Sequence, residues 1–229
     1  MKGITTFLLF CCFGVALAAA PKSIGASRIF AEEIYQGHPF TFYCGCPIEW
    51  KKSEPDPIDH DSCGYKMPNK KNDERARSKE WEHIVPVSKL GDKANSDFNL
   101  RRANLHNLVP AIGQVNAHRN NYSFTIFSEG SDCKKEARNY GACEIKISSE
   151  CNLVEPPTHT RGAIARIYLY MWEKYQFDLD KEQRDMFNGW NEKYPVTEWE
   201  CERDRLIAQA RYQGENNPKV QEKCTEAGL

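Results

Sequence analysis

The sequence lacks an excess of either positively or negatively charged residues. The 229 residues contain 31 lysines and arginines against 32 aspartates and glutamates, which gives a formal net charge of −1. This balance excludes a protein that binds nucleic acid through positive charge spread over its whole surface. The charge is nevertheless uneven, because residues 66–79 contain six basic and two acidic side chains. Such a run is usually a solvated surface, and contact with phosphate is the alternative.

A long apolar run is also missing. Residues 4–15 form an apolar stretch after the basic start Met1-Lys2, and small residues follow up to Ala20. A membrane-spanning helix needs about 20 apolar residues, so this stretch is too short, and its pattern is typical of a secretory signal. Ala16-Leu17-Ala18 supplies the A-x-A cleavage pattern. We therefore predict a signal peptide over residues 1–18 and a mature periplasmic or secreted protein that no longer contacts a membrane.

No internal repeat, low-complexity segment or clear interdomain linker divides the mature chain. Its length suffices for one sizeable hydrophobic core. Strand-like patterns lie in the middle of the chain, and helical periodicity dominates the last third. The predicted fold class is therefore α+β: a single mixed domain over residues 19–229, with an α-helical C-terminal third and disulfide stabilisation.

Cysteine is abundant, with ten residues in the whole chain. Cys11 and Cys12 would leave with the signal peptide. The remaining eight are Cys44, Cys46, Cys63, Cys133, Cys143, Cys151, Cys201 and Cys224. An even number in an oxidising compartment predicts up to four disulfides. The alternative is a zinc site of Cys44, Cys46, Cys63 and His60, but C-x-C is not the usual spacing of zinc ligands.

Apolar spacing and turn residues predict the elements of the first part of the mature chain. Residues 23–34 are a predicted helix with Ile29, Phe30 and Ile34 on one face. The other predicted segments are a strand over 40–44, a surface loop over 47–72, a strand over 80–87, an irregular crossover over 89–102, a helix from Pro110 to about Asn120, and paired strands over 123–127 and 144–147.

Three helices are predicted in the C-terminal third. The first begins near Arg161, and its core-facing residues recur at helical spacing: Ile164, Ile167, Tyr168, Met171 and Tyr175. The second covers about 180–190. The third begins with a capping box, in which Thr197 is the N-cap and Glu200 the third helical position, and should end near Gly214.

Two stretches carry residue types that suit phosphodiester hydrolysis. They are Glu80-Trp81-Glu82-His83-Ile84-Val85-Pro86 and Leu105-His106-Asn107-Leu108-Val109-Pro110-Ala111-Ile112-Gly113-Gln114-Val115-Asn116. The reaction needs a water, a base that takes its proton, and positive charge near the phosphate. His83 is the candidate base. Glu82 and Asn116 offer one carboxylate and one amide oxygen, a set that leaves a magnesium ion several positions for water and phosphate.

Each of these residues also has an ordinary structural interpretation. A lone histidine near apolar residues is more often part of the core, and an asparagine on a helix is usually a surface residue. A glycosidase-like acid pair of Glu80 and Glu82 is a further alternative, although close pairs arise readily among 32 acidic residues. Adjacent strand residues face opposite sides, so Glu82 and His83 share one site only if the strand bends or ends there.

The two stretches resemble motifs of the bacterial endonuclease I family. The similarity covers nearly the whole mature chain and includes Tyr43-Cys44-Gly45-Cys46, Cys63-Gly64-Tyr65, Arg75-Ala76, Glu155-Pro156-Pro157, Arg161-Gly162-Ala163-Ile164-Ala165-Arg166, Tyr194-Pro195-Val196-Thr197-Glu198-Trp199-Glu200-Cys201 and the approach to Cys224. The resemblance implies a ββα-metal (His-Me) finger site. It also implies cleavage of double-stranded DNA, with RNA as a second substrate, at little sequence preference. We expect the mature protein to be a monomer.

The resemblance also implies roles for individual residues. His83 matches the general base of the family. Glu82 and Asn116 match the ligands of one divalent cation, Mg²⁺ or Mn²⁺. The basic run adds Arg75 and Arg77 as predicted contacts to nucleic acid.

Two departures from the family pattern affect these roles. Many members carry an insert after the catalytic strand, with an arginine that stabilises the transition state, whereas Leu90–Leu100 is short and lacks it. Arg101 and Arg102 are candidates for this role, and we assign it to Arg102. Members often have Gly-Asp-Arg where this chain has Ala117-His118-Arg119, so the arginine, Arg119, is kept as a predicted phosphate contact.

Two disulfide pairs are predicted among the cysteines. Cys133 and Cys151 have no evident counterparts there, and we predict that they pair with each other. Cys201 and Cys224 flank the predicted last helix and form the second predicted pair. Disulfides near the site should leave the reduced protein nearly inactive.

Two other classes of function remain compatible with the residues. One is a different metal-dependent phosphoesterase, and the other is a non-enzymatic, disulfide-rich secreted binding module. Digestion of a plasmid with magnesium, followed by addition of EDTA, separates the three.

Overall fold

Helices occupy both ends of the chain, and strands occupy its middle. The computed structural model describes residues 20–52, 55–68 and 74–229, so the predicted signal peptide lies outside the described residues. Within these ranges the helices are α1 (Ile24–Tyr35), α2 (His60–Cys63), α3 (Phe98–Arg102), α4 (Gly113–Arg119), α5 (Asp132–Lys135), α6 (Arg161–Tyr175), α7 (Lys181–Lys193), α8 (Glu198–Ile207) and α9 (Pro218–Ala227). The strands are β1 (Lys79–His83), β2 (Leu108–Ile112), β3 (Ser123–Phe124), β4 (Arg138–Tyr140), β5 (Cys143–Ser148) and β6 (Leu153–Glu155).

β1 and β2 form an antiparallel ribbon that leads directly into α4. In its register Trp81 lies opposite Pro110. The prediction that Pro110 opens a helix is therefore wrong. All five residues of β2 are buried, and such a short apolar run is typical of a buried strand. The Pro110 carbonyl accepts a hydrogen bond from the backbone N–H of Phe42 at 2.7 Å, and the helix begins only at Gly113.

A second sheet has the strand order β3-β6-β5-β4. The predicted pairing of residues 123–127 with 144–147 is wrong, because β6 lies between β3 and β5. A tight turn joins β5 to β6, and β6 pairs with the edge of β5 that the prediction gave to β3. The predicted strand over 40–44 is also wrong. The Gly45 N–H donates to the Thr41 carbonyl at 2.8 Å, so this segment turns.

α1 begins where the sequence predicts, because the Ser23 hydroxyl caps the N–H of Ala26 at 3.3 Å. Its predicted apolar face is correct in part: Ile34 is buried and Phe30 packs partly buried against the core, whereas Ile29 is 61% exposed. This face packs against residues near the other end of the chain. The Tyr212 hydroxyl donates to the Glu33 carboxylate at 3.0 Å across 179 residues of sequence.

The C-terminal helices largely follow their local signals. The core residues predicted for α6 are buried, except that Tyr175 is partly exposed. Asp180 caps α7, and the Thr197 hydroxyl accepts the Glu200 N–H at 3.1 Å at the start of α8. α8 ends at Ile207, well before the predicted stop at Gly214, and the separate helix α9 follows.

All eight cysteines from Cys44 to Cys224 form disulfides. The predicted pairs Cys133–Cys151 and Cys201–Cys224 are confirmed, although the latter joins α8 to α9 rather than flanking one helix. The other bonds are Cys44–Cys143 and Cys46–Cys63. The cysteines that the zinc alternative needs are therefore oxidised. In the described ranges, no helix combines the length and apolar character that a membrane crossing requires.

Candidate functional site

A cleft of about 470 Å³ lies where β1 ends against α4. Glu82, His83 and Asn116 all line it, so the structure brings the predicted base and the two predicted metal ligands together. Arg75 and Arg119 line it as well. The cleft is thus built by the ribbon and the helix that follows it.

Glu82 is a buried carboxylate held from two sides. Its Oε1 accepts a hydrogen bond from the Tyr43 hydroxyl at 3.0 Å and lies 3.3 Å from Nη1 of Arg119. Burial raises the pKa of Glu82 to about 6, although the Arg119 charge opposes this rise. A carboxylate fixed in this way has one defined direction in which to meet a ligand in the cleft.

The side chain of Arg119 is buried, and its guanidinium group makes hydrogen bonds inside the protein. It is 1% exposed, and its guanidinium donates to the backbone carbonyls of His83 at 3.0 Å and Ile84 at 2.5 Å. The same group lies 4.7 Å from the centre of the Phe124 ring. This placement argues against the predicted contact of Arg119 with phosphate. Its contacts instead stabilise the end of β1 and the buried charge of Glu82.

The imidazole of His83 has a defined tautomer. Its Nε2 lies 2.9 Å from the backbone carbonyl of Arg102, which only accepts hydrogen bonds, so Nε2 carries the proton. Nδ1 is then the unprotonated nitrogen. Burial lowers the pKa of His83 to about 4, against the effect of this carbonyl, and the charge of Arg102 lowers it further. His83 is therefore neutral at neutral pH.

Glu82 and His83 share the cleft because regular strand pairing stops at His83. Beyond this point the side chain of Asn107 takes over part of the pairing. Its Oδ1 accepts the Val85 N–H at 2.7 Å, and its Nδ2 donates to the Val85 carbonyl at 3.0 Å. Adjacent residues face opposite sides only within a regular strand, so the end of the strand allows Glu82 and His83 to line the same cleft.

The amide of Asn116 is oriented by Glu80. Its Nδ2 donates to Glu80 Oε2 at 2.8 Å, which turns Oδ1 away from that carboxylate. Glu80 is in turn fixed by Arg75, whose Nε and Nη2 donate to its two oxygens at 2.6 and 2.5 Å. A Cβ at Gly113 would lie 2.6 Å from the Arg75 carbonyl oxygen and 2.8 Å from Glu80 Oε1, so the close approach needs glycine here.

Sequence reasoning assigned Glu80 only to an alternative acid pair and missed this orienting role. The two-residue period of a strand supplies a signal, because it places Glu80 and Glu82 on the same face of β1. The partner Asn116 lies 36 residues away, and its pairing with Glu80 depends on the register of β1 with β2.

The remaining predicted arginines are placed differently. Arg77 is exposed at the end of the helical turn over residues 74–77, outside the cleft lining. Arg101 pairs with Asp97 at 2.7 Å and donates to the Tyr175 carbonyl at 3.0 Å, so it has a structural role. Arg102 is partly buried and meets His83 through its carbonyl.

The basic run before β1 is not one continuous charged surface. Lys70 and Lys71 lie outside the described residues. Lys79 is buried, pairs with Asp56 at 3.0 Å, and lies 4.6 Å from the Trp81 ring centre. Arg75 is committed to Glu80. The surface charge that remains for a ligand is therefore smaller than the sequence suggests.

The donors in the cleft fit a hard divalent cation. Glu82 and Asn116 offer a carboxylate and an amide oxygen, the donor types that magnesium prefers when it keeps several waters. No group of three or more histidine, cysteine, aspartate and glutamate side chains suited to a metal occurs in the part of the chain that the structure describes. The two donors of the cleft suit an ion that keeps several waters.

The sequence is similar to known proteins over a range that includes β1, β2 and α4. A family model described as Endonuclease I matches residues 22–224. An Endonuclease-1 of Buchnera aphidicola subsp. Baizongia pistaciae (strain Bp) is 39% identical over 216 residues, which cover 89% of this chain and 84% of the relative. A periplasmic deoxyribonuclease of Aeromonas hydrophila is 40% identical over 208 residues, covering 84% and 82%. An extracellular deoxyribonuclease of the same species is 38% identical over 226 residues, covering 92% and 94%.

Proposed function

Because the chain belongs to the endonuclease I family, we propose that it is a periplasmic or secreted metal-dependent endonuclease. It hydrolyses phosphodiester bonds of DNA, and also of RNA, with little sequence preference. The observation that carries this proposal is the meeting of Glu82, His83 and Asn116 in one cleft, with the unprotonated Nδ1 on His83. The names of the relatives, periplasmic and extracellular deoxyribonuclease, support the substrate and the location.

The arrangement of β1, β2 and α4 supports a ββα-metal, or His-Me, finger. In this unit the base lies at the end of the first strand, and the second metal ligand lies on the helix after the second strand. His83 ends β1, and Asn116 lies in the middle of α4. The antiparallel register and the direct β2–α4 junction bring these two positions together.

Glu82 and Asn116 would hold one Mg²⁺ or Mn²⁺. The bound ion supplies positive charge to the phosphate and to the leaving oxygen. Tyr43 and Arg119 hold the Glu82 carboxylate in place, and Glu80 holds the Asn116 amide. Ligands fixed by such surrounding contacts keep their orientation when the ion binds.

His83 acts as the general base. Its Nδ1 takes a proton from the attacking water, while its Nε2–H stays bonded to the Arg102 carbonyl. That carbonyl stabilises the imidazolium as it forms and keeps the ring from rotating. A positioned base of this kind contributes about two to four orders of magnitude in rate.

Contacts to the phosphate backbone rather than to base edges suit a protein without sequence preference. Arg77 is exposed outside the cleft lining and is proposed to contact the backbone beside the cleft. Arg75 is half exposed while bound to Glu80, so its proposed contact to phosphate is secondary to its role in the cleft.

The proposed function is tested by digestion of supercoiled plasmid with the oxidised mature protein. We expect nicked, linear and then fragmented DNA with Mg²⁺ and no cleavage after EDTA, because the ion that Glu82 and Asn116 would hold supplies the positive charge at the phosphate and the leaving oxygen. Cleavage of single-stranded RNA under the same conditions is also expected. Full activity in EDTA would reject the metal, and absence of cleavage with every divalent ion tested would reject the nuclease.

The pH dependence of cleavage should follow metal binding rather than the base. The Glu82 carboxylate takes up a proton as the pH falls through about 6, whereas His83 stays neutral down to about 4. Protons and Mg²⁺ therefore compete for Glu82. We expect the acid limb of the rate profile to move to lower pH by about one unit for each tenfold increase in Mg²⁺. Rate profiles at low and high Mg²⁺ measure this shift.

An acid limb that does not move with Mg²⁺ would contradict this prediction. An acid limb that stays at the ordinary histidine pKa of about 6.5 at every Mg²⁺ concentration would mean that His83 titrates as a solvent-exposed ring, and that its burial does not govern the base.

A further inference from the structure

Asn120 follows α4 and lines the cleft that contains Glu82, His83 and Asn116. Its backbone N–H donates to the Asn116 carbonyl at 3.1 Å, one helical turn after the candidate metal ligand. Its own carbonyl accepts from Nη1 of Arg119 at 3.3 Å, and the same nitrogen donates to the His83 carbonyl at 3.0 Å. The backbone of Asn120 is therefore fixed beside both the candidate base and a candidate metal ligand.

The backbone conformation of Asn120 is one that residues with a side chain rarely adopt. Its φ is 51° and its ψ is −128°, and the Tyr122 N–H donates to the Arg119 carbonyl at 3.1 Å. These angles and this hydrogen bond define a type II′ turn over residues 119–122, in which glycine is preferred at the position of Asn120. Asparagine tolerates positive φ mainly in the left-handed helical region, where ψ is about +30 to +60°. That tolerance does not account for this residue.

Across residues 20–52, 55–68 and 74–229, the side-chain amide of Asn120 makes no hydrogen bond that would offset the strain. The side chain is exposed at the wall of the cleft. Its two N–H donors and its carbonyl oxygen are thus available to a ligand. Backbone strain of this kind concentrates at sites where a ligand is bound or a reaction takes place. The turn and the amide together indicate that Asn120 meets the ligand of the cleft.

We propose that the side-chain amide of Asn120 donates a hydrogen bond to the phosphodiester group that is cleaved. This proposal rests on the nuclease function and adds a residue that the sequence did not predict for the site. Asparagine side chains are among the groups that bind phosphate oxygens of nucleic acids. The two arginines that line the cleft are each paired with a carboxylate. Asn120 supplies a donor that holds a non-bridging oxygen while His83 takes the proton of the water.

Asn120→Gly is the decisive substitution, because it removes the amide and also suits the turn. Glycine adopts these backbone angles without strain, so the melting temperature should equal or exceed that of the wild type. The single-turnover rate at saturating enzyme should fall by at least about tenfold, as on loss of one preorganised donor to an oxygen that gains charge. A variant that is at least as stable and yet slower separates a contact to the substrate from a structural role.

Binding and metal dependence identify the group that Asn120 contacts. In EDTA, where nothing is cleaved, Asn120→Gly should bind duplex DNA about two- to tenfold more weakly, as on loss of one neutral hydrogen bond. The slope of log affinity against log salt should not change, because the amide carries no charge. The Mg²⁺ concentration for half of the maximal rate should also stay the same, since Glu82 and Asn116 remain. Asn120→Asp replaces the donors with a negative charge, so its rate should be lower still.

Asn152→Gly is the matched control. Asn152 also has a positive φ, of 54°, and is exposed in the turn between β5 and β6, outside the cleft lining. The substitution removes the same amide from another backbone position with positive φ. It should leave the cleavage rate, the affinity for DNA and the Mg²⁺ requirement at the wild-type level.

Three results would overturn the proposal. The first is a wild-type rate for Asn120→Gly or Asn120→Asp. The second is a slower Asn120→Gly with a lower melting temperature, which would give the amide a structural role. The third is a rate that high Mg²⁺ restores, which would make the amide oxygen a metal ligand. If the wild type itself cleaves no nucleic acid, the nuclease function is rejected instead. Duplex binding by Asn120→Gly and Asn152→Gly in EDTA then decides whether Asn120 contacts phosphate.

Discussion

Replacing His83 with alanine is expected to lower the cleavage rate by about two to four orders of magnitude, because no second histidine is found among the described residues that line the cleft. Affinity for duplex DNA in EDTA should stay at the wild-type level, since the imidazole contributes no charge at neutral pH. Single-turnover cleavage of a labelled duplex, together with binding by fluorescence anisotropy, separates the two effects.

His118 provides the matched control for this substitution. It is also partly buried, and its Nδ1 lies 2.8 Å from the Tyr140 hydroxyl on β4, away from the predicted metal ligands. His118→Ala should therefore cleave within a few-fold of the wild type. A His83→Ala protein that digests DNA as fast as His118→Ala would remove His83 from the mechanism. Partial rescue of His83→Ala by added imidazole would identify the missing group as a base.

Reduction of the disulfides is expected to abolish almost all activity. Cys44–Cys143 and Cys46–Cys63 lie on either side of Gly45 and fix the segment that carries Tyr43. The Tyr43 hydroxyl holds Glu82, so a loosened segment releases one of the two contacts of that carboxylate. A displacement of about 1 Å at such a site costs about a hundredfold in rate. The bond closing 99 residues also contributes about 4–5 kcal/mol by restricting the unfolded chain.

The other two disulfides allow this explanation to be tested directly. Cys201–Cys224 joins α8 to α9 and has no contact with the cleft residues. The double substitution Cys201→Ser with Cys224→Ser should lower the melting temperature and keep the rate at low temperature. The double substitution Cys44→Ser with Cys143→Ser should lose most of the rate even where the protein remains folded. Full activity in excess dithiothreitol, with eight free thiols measured by titration, would contradict the redox dependence.

Features that depend on neighbouring residues were predicted from the sequence better than features that depend on residues far apart in the chain. α1, α7 and α8 begin at caps that a few neighbouring residues determine, and these starts were predicted correctly. The pairing of β3 with β6 and the strand at Pro110 were missed, because each depends on a partner strand that is distant in sequence. Local spacing does not contain that information.

The same distinction applies to the site. Glu82 and His83 are adjacent in a recognisable motif, and the placement of Asn116 beside them is compatible with the resemblance. Their supporting groups lie elsewhere in the chain, so the hydroxyl of Tyr43 on Glu82 and the carboxylate of Glu80 on Asn116 were not predicted. Arg119 was predicted as a surface contact because nothing in its sequence neighbourhood indicates its burial.

The contact between α1 and Tyr212 sets an order of events during synthesis. α1 is among the first structured segments to leave the ribosome, and its partner follows 179 residues later. Until then the buried face of α1 has no surface to pack on, and contacts at such separation form late in folding. α1 therefore docks on this partner only when translation is almost finished. A nascent or prematurely terminated chain would contain the motif around His83 and still leave the buried face of α1 uncovered.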